Sequence, residues 1–297
     1  MTAPRLITTK TELRRWREAQ TGTLALVPTM GALHEGHARL LRAARAQADR
    51  LAVSIYVNPL QFGPGEDLER YPRQLDADLA LCEAAGVDAV FAPTDAEMYD
   101  AARQVSVSAG TMGTVLEGAS RPGHFDGVVT VVTKLFTLIR PDLAFFGLKD
   151  IQQFALISRL VVDLDLGVEI VGVPTVRDAD GLALSSRNAY LSDRERDQAL
   201  VLSRSLRRAE SMAGARPSVI IDQVRTVLAS EPGVQVLYAE LVDFATFLPV
   251  DDSFVGRAVV ALAARVGTTR LIDNVVLKVG PTSTATSARR SRPDPSG

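Results

Sequence analysis

The sequence predicts an α/β fold, a doubly wound parallel sheet followed by a smaller α+β unit. Three observations lead there. Short apolar runs alternate with helix-spaced patterns from the N-terminus to about Val173, the order expected of parallel strands joined by helices that cover both faces. Each run is bounded by Gly, Pro or Asn, which separates strands from helices of similar hydropathy. After Ser192 the composition changes: charged helical segments come first, then three strand patterns in a row.

Residues 5–20 read as a short strand and a helix, with Thr9 or Thr11 as its cap. Leu24–Val27 is an apolar run suited to a buried strand; it breaks at Pro28 and Gly31 and resumes with Leu40, Leu41 and Ala44 at helical spacing. The join carries His34 and His37, three residues apart and therefore on one face of a helix's first turn. Free N–H groups and the positive dipole end at a helix N-terminus attract anions, so two imidazoles there suit phosphate groups. Leu51–Val57 is a second buried strand, followed by a polar Gly/Pro-rich loop over 58–72, a helix over 73–85 and a strand over 88–91. Gln104–Ser108 reads as one further strand. Arg121, His124 and Lys134 are cations around a turn and a helix; Leu143–Phe146 is a strand, and Gly147 to Asp150 form another strand-to-helix turn with Gln152 and Gln153 close behind. Ligands of such sheets bind beyond the carboxyl ends of the strands, the edge where His34, His37, Lys149 and the 58–72 loop all fall. Val168–Val173 is the next strand, and Ser185, Ser186 and Arg187 beyond it match phosphate oxygens with two hydroxyls and a guanidinium. Ser192 reads as a helix cap; helices over 193–212 and 217–230 and strands over 234–243, 258–266 and 269–279 complete the second unit.

The whole chain restricts the function classes. Its 297 residues suffice for two domains, 46% of them are hydrophobic, and a net charge of -2 gives no general attraction to nucleic acid or anionic membrane. A single cysteine, Cys82, excludes an internal disulfide and a cysteine metal cluster, and its apolar helical setting predicts burial. No run of 18 apolar residues occurs and MTAPRLITTK lacks a secretory apolar core, so a cytoplasmic protein is expected. No serine sits in a GxSxG elbow, and no nucleophile has an obvious partner base.

PTMGALHEGH (28–37), YVNPLQFGPGEDLERYPR (56–73), RPGHFDGVVTVVTKLF (121–136), FGLKDIQQ (146–153) and GVPTVRDADGLALSSRN (172–188) together resemble the pantothenate synthetase (pantoate–β-alanine ligase) family over about residues 5–280. The HxGH element alone marks only the wider nucleotidyltransferase superfamily. The resemblance implies a Rossmann-like domain over 1–176 that binds nucleotide and pantoate, a C-terminal lid domain over 177–280 and a disordered tail over 281–297. It implies that pantoate attacks the α-phosphate of ATP to give pantoyl adenylate and pyrophosphate, and that β-alanine then displaces AMP. By matching position, His34, His37, Lys149 and Arg187 are the expected catalytic groups. Pro28, Met30, Gly147, Asp150, Val176, Ser185 and Ser186 are expected to join them at ATP, and Met30, Gln61 and Gln153 to hold pantoate. Tyr71, Arg121 and His124 are further site candidates, His124 equally readable as structural. Magnesium is implied as ATP's partner with Asp78 as a weak ligand candidate, and a homodimer is implied as the assembly.

Two positions depart from the family pattern: Leu148 stands where Glu is usual before Lys-Asp, and Leu184 where Met often precedes Ser-Ser-Arg. The second preserves volume and polarity. The first removes a carboxylate beside Lys149. Two alternatives stay open at this stage, another HxGH nucleotidyltransferase and a non-catalytic nucleotide-binding protein on the same fold. A tRNA-charging enzyme is excluded, because the near-neutral chain offers neither a basic face nor an anticodon-binding domain.

Overall fold

A computed structural model describes residues 3–280. Six strands form one sheet: β1 (Arg5–Ile7), β2 (Leu24–Thr29), β3 (Arg50–Ile55), β4 (Ala89–Phe91), β5 (Leu143–Gly147) and β6 (Glu169–Val173). Their order is β1-β4-β3-β2-β5-β6, and every pairing is parallel. Between them lie α1 (Lys10–Glu18), α2 (Glu35–Arg45), α3 (Leu75–Ala84), the single turns α4 (Asp95–Met98) and α5 (Glu117–Ser120), α6 (His124–Ile139) and α7 (Ile151–Asp163).

Alternation along the central strand produces the two layers. Leu24 and Leu26 of β2 pack into one core with Leu13 and Trp16 of α1, Phe136 of α6 and Ile157 of α7. Ala25 and Val27 face the other way, against Leu41 and Ala44 of α2 and Cys82 of α3. Such a strand is buried on both faces, which is why it reads as a continuous apolar run. From β2 the chain winds outward through β3 to β4, then returns and winds the other way through β5 to β6. The strand order therefore reverses between β2 and β5, and the crevice outside their carboxyl ends is the place a ligand enters such a sheet.

The rest of the described chain forms α8 (Asp193–Glu210), α9 (Pro217–Ala229) and an antiparallel sheet of β7 (Val234–Asp243), β8 (Gly256–Val266) and β9 (Thr269–Val279) in the order β7-β8-β9. Leu202 and Leu206 of α8 and Ile220 and Val224 of α9 share a core with Val260 and Leu262 of β8. Two contacts seat this sheet on the first. Ile151 and Ala155 of α7 pack against Val242, Phe247, Val259 and Ala261. Glu117 takes the Arg270 guanidinium and the Tyr238 hydroxyl, the latter at 2.6 Å. No helix among the described residues is long and apolar enough to cross a membrane.

Several local expectations are met. Thr9 and Ser192 cap α1 and α8, and Cys82 is fully buried, with its thiol pushed up to about 12 by desolvation. One is corrected: Gln104–Ser108 is not a strand. The alternating pattern is there, but this stretch runs over α6 and pairs with neither edge strand of the sheet, β1 or β6. Val107 exchanges bonds with the Thr130 hydroxyl, and Val105 is 81% exposed. The tail over 281–297 lies outside the described residues.

Candidate active site

The site grows from the two loops that leave β2 and β5. After Thr29 the chain turns sharply, with Gly31 at φ +84° and Ala32 at φ +51°. Asp78 of α3 holds that turn: its Oδ2 accepts from the Ala32 N–H at 3.0 Å and its Oδ1 from the Leu33 N–H at 2.8 Å. Asp78 is 1% exposed and both of its oxygens accept from the backbone. A Cβ on Gly31 would stand 2.9 Å from the same carboxylate, so glycine answers both the left-handed φ and the close approach.

The turn delivers His34 to the N-cap of α2 and His37 to its first turn. The Gly36 N–H donates to His34 Nδ1 at 3.1 Å, and the His34 N–H donates to His37 Nδ1 at 3.3 Å. The two rings thus cap the helix reciprocally, as Ser and Glu do in a capping box. Because each Nδ1 accepts, each ring carries its proton on Nε2, leaving one N–H donor per ring. Burial keeps both imidazoles neutral. His34 is lowered by desolvation and then by Lys149, and His37 is lowered to about 4 by desolvation and then by His34.

This has a consequence for stability. The unfolded chain binds a proton on His37 near pH 6.5 and the folded chain only near pH 4, so stability falls as pH drops through that window. His37→Gln keeps the backbone cap and removes the titration. Urea unfolding at pH 7 and pH 4.5 is expected to show roughly 2 kcal/mol less acid loss in the variant than in the unaltered protein. Equal losses in both would refute a buried neutral His37.

On the β5 side, Gly147 ends the strand and Leu148–Asp150 make a single 3-10 turn into α7. Lys149, Asp150 and Gln153 face the crevice. Leu148 lines neither cavity. Its side chain packs with Phe154 near Gly172 and on the cluster that joins α7 to the second sheet. The departure from the family's Glu is therefore an apolar contact between the two sheets.

The third wall is the loop after β3. Asn58, 1% exposed, donates from Nδ2 to Gln61 Oε1 at 3.0 Å and to the Gly127 carbonyl at 3.1 Å. Its Oδ1 accepts from the Tyr99 hydroxyl at 2.9 Å. Gln61 is thereby fixed with its Nε2 3.1 Å from Met30 Sδ. Arg121 pairs with Glu66, Nη2 to Oε2 at 2.6 Å, and donates from Nη1 to His124 Nε2 at 3.0 Å. The other ring nitrogen, Nδ1–H, donates to the Gln61 carbonyl at 2.8 Å. Both nitrogens of His124 are thus committed to protein partners, and desolvation followed by Arg121 holds the ring neutral.

These walls enclose a cavity of about 350 Å³, which opens onto a cleft of about 1160 Å³ toward the second sheet. The lining of the smaller cavity includes Pro28, Met30, His34, His37, Gln61, Tyr71, Arg121, His124, Gly147, Lys149, Asp150, Gln153, Val176, Ser185, Ser186 and Arg187. Every site candidate named from the sequence, apart from Asp78, is brought to one place. Of the three Arg and Lys side chains in that lining, Arg121 is paired with Glu66, while Lys149 and Arg187 have no carboxylate partner among the described residues.

A family model described as Pantoate-beta-alanine ligase matches residues 5–276. The chain belongs to the pantoate–β-alanine ligase family. It is 56% identical over 272 residues to the pantothenate synthetase of Acidothermus cellulolyticus, covering 90% of this chain and 89% of that one. It is 55% identical over 268 residues to that of Thermobifida fusca, covering 87% and 90%. The crystal structure of pantothenate synthetase from Thermus thermophilus superposes with a TM-score of 0.85 at 45% identity, covering 91% of this chain and 98% of that one. Pantoate-beta-alanine ligase from Francisella tularensis, solved with β-γ ATP and β-alanine, superposes with a TM-score of 0.75 at 31% identity, covering 92% and 98%.

In this member of the family, sequence reasoning passed over Asn58, Glu66 and Glu117. Asn58 was visible only as the residue ending a strand before a proline. Glu66 and Glu117 sit in charged, Gly-rich stretches where acidic residues are usually solvated; their partners Arg121 and Arg270 lie 55 and 153 residues away.

Proposed function

We infer that this chain condenses pantoate with β-alanine at the expense of ATP, through a pantoyl adenylate. The observation that carries the reading is the joining of two neutral Nε2–H donors, His34 and His37, with Lys149 across the point where the strand order reverses. Family membership and the Francisella relative solved with β-γ ATP and β-alanine support it.

In the first step a carboxylate oxygen of pantoate attacks the α-phosphorus of ATP, and the bond from that phosphorus to the α,β-bridging oxygen breaks to release pyrophosphate. Charge builds on phosphate oxygens, so catalysis consists of placement and neutralisation and needs no protein nucleophile. His34 and His37 donate from Nε2, Lys149 supplies positive charge, and Ser185, Ser186 and Arg187 close on the phosphates from the other side. Pro28, Gly147, Asp150 and Val176 hold the nucleoside. Gln61 and Gln153 bond the carboxylate and hydroxyls of pantoate, and Met30 meets its methyl groups. Arg121 and His124 act indirectly, by fixing the Gln61 backbone and the loop that bears Tyr71. In the second step the neutral amine of β-alanine attacks the acyl carbon, AMP leaves, and the amine proton passes to solvent.

Magnesium accompanies ATP and lowers the charge of its phosphates. The residues fit an ion held chiefly by phosphate oxygens and water: Asp78 is spent on the backbone, and among the described residues no three His, Cys, Asp or Glu side chains group together. Asp67 and Asp150 are the carboxylates in the lining that would face it.

The direct test is pyrophosphate release from ATP with pantoate and Mg²⁺, with and without β-alanine. Release limited to about one turnover without the amine and continuous release with it is the expected result. Release independent of pantoate would defeat the reading. A nucleotidyltransferase that leaves its nucleotide on the product would show no demand for an amine.

We also propose that residues 177–280 form a lid that closes over bound ATP and excludes water from the acyl adenylate. Its support is Leu182, which is buried with α8 and α9 although it precedes Ser185–Arg187 by only a few residues. The working form is taken to be a cytoplasmic homodimer, as the family resemblance implies. Small-angle scattering is expected to show twice the chain's 31.9 kDa and a smaller radius with ATP than without. A monomer, or a radius indifferent to ATP, would remove the corresponding half of this proposal.

A further inference from the structure

Two adjacent residues of β9 are bonded, one to the turn that carries Lys149 and the other to Arg177, whose bridge to Ala183 leads into the segment that carries Arg187. Asn274, 8% exposed, donates from Nδ2 to the Leu148 carbonyl at 2.9 Å and to the Lys149 carbonyl at 2.8 Å. The 3-10 turn that holds those carbonyls has no side-chain cap of its own. Asp273, 4% exposed, takes the Arg177 guanidinium in two bonds of 2.6 and 2.9 Å, and its Oδ1 also accepts from the Asn274 N–H at 2.8 Å. Arg177 in turn donates to the Gly181 carbonyl at 3.2 Å and bridges through its backbone to Ala183, just before Ser185. Successive side chains of a strand point to opposite faces. β9 is therefore tied to the Lys149 turn by a carboxamide and, by a carboxylate, to the Arg177–Ala183 bridge that leads into Ser185–Arg187.

The chemistry at position 274 is restrictive. One neutral nitrogen with two hydrogens meets two carbonyl oxygens. A carboxylate of the same shape would set acceptors against acceptors, and a methyl group would leave both carbonyls without this partner. The sheet does not depend on Asn274 for docking, since the apolar contact through Ile151, Ala155 and Phe247 and the Glu117–Arg270 pair already seat it.

We propose that Asn274 is a positioning residue for adenylate formation. Through the carbonyls of Leu148 and Lys149 it sets where the Lys149 ammonium stands against the phosphates. With Asp273 it couples that placement to the seating of Ser185–Arg187. The proposal rests on the function inferred above and extends it to a residue 125 positions from the lysine.

The test uses Asn274→Ala and Asn274→Asp, each alone and combined with Lys149→Ala. Pantoate-dependent pyrophosphate release is followed in single turnovers, and urea unfolding is followed beside it. Each single variant is expected to lose about 10- to 100-fold in rate, the size of loss that a displaced reacting group produces, while KM for pantoate stays within about threefold. In the Lys149→Ala background the same substitutions are expected to change the rate by less than about twofold, because the group they place is gone. Losses that multiply in the double variants, full rate in both single variants, or rate losses explained by unfolding under assay conditions would each overturn the proposal while leaving the inferred function intact. No pantoate-dependent release from the unaltered protein would overturn that function, and this proposal with it.

Discussion

Replacing Lys149 with alanine is expected to slow adenylate formation on the order of 10³-fold, with KM for pantoate little changed. The magnitude follows from counting charges. The two imidazoles that face the crevice are neutral at pH 7, so they donate hydrogen bonds and add no formal charge. Arg121 is neutralised by Glu66. Lys149 and Arg187 remain, and Arg187 is exposed on the segment over 185–190, whereas Lys149 leaves the end of a central strand. On the proposed reading the ammonium is the charge held most firmly at the crevice, and closure over ATP would exclude water and make that charge count for more. Lys149→Arg is expected to restore little, since a planar guanidinium does not occupy the place of a point charge. Single-turnover pyrophosphate release reads the effect. A loss below about tenfold would mean that Arg187 carries the phosphate charge instead.

Gly127→Ala is expected to damage stability and pantoate binding together. A Cβ on Gly127 of α6 would lie 2.2 Å from the Leu60 carbonyl oxygen and 2.6 Å from the Gln61 nitrogen, both backbone atoms that cannot rotate aside. The helix and the Pro59–Gln61 turn must separate, which also strains the bond from Asn58 to the Gly127 carbonyl. Overpacking of this kind costs about 3 kcal/mol. The displaced turn carries Gln61, so KM for pantoate is expected to rise at least about tenfold as well, one lost hydrogen bond to a charged group. Gly147→Ala is the contrast: nothing lies within 4 Å of its Cβ and its φ is −73°, so stability is expected to stay within about 0.5 kcal/mol. Urea unfolding of the two variants side by side decides the matter, and equal stabilities would show that α6 can yield.

Both expectations concern residues of different legibility. Lys149 could be found from sequence because it follows a buried strand directly, and the edge where strands end is common to all sheets of this kind. His34 and His37 were legible for the same reason, at the start of the helix after β2. The importance of Gly127 was not. In a helix pattern rich in valine it reads as a weak spot, and only the close approach of the Leu60–Gln61 loop makes it necessary. The same holds for Asn274 and Glu117, whose partners are chosen by the seating of one sheet on another. Hydrophobic period records which face of an element is buried, and it is silent about which polar group will meet which across a junction. Two further stretches show the same limit. Gln104–Ser108 carries a strand's alternation but is held on α6 through Thr130, and Asp78 looks like a solvated or metal-binding carboxylate while in the fold it holds two backbone N–H groups of the His34 loop.

The reciprocal cap at the start of α2 binds two requirements into one pair of residues. A histidine that serves only chemistry can be exchanged at a cost in rate alone, and one that serves only as a helix stop can be exchanged at a cost in folding alone. At positions 34 and 37 the Nδ1 atoms hold the helix end while the Nε2 atoms are left for the proposed phosphate contacts, so on that reading neither cost can be incurred separately by most exchanges. A lineage released from the need for the reaction would still be held near this sequence by the helix. Asparagine at 34 and glutamine at 37 are the natural exits, since each caps a helix without an imidazole. A relative bearing that pair would keep the fold of the crevice after giving up its chemistry.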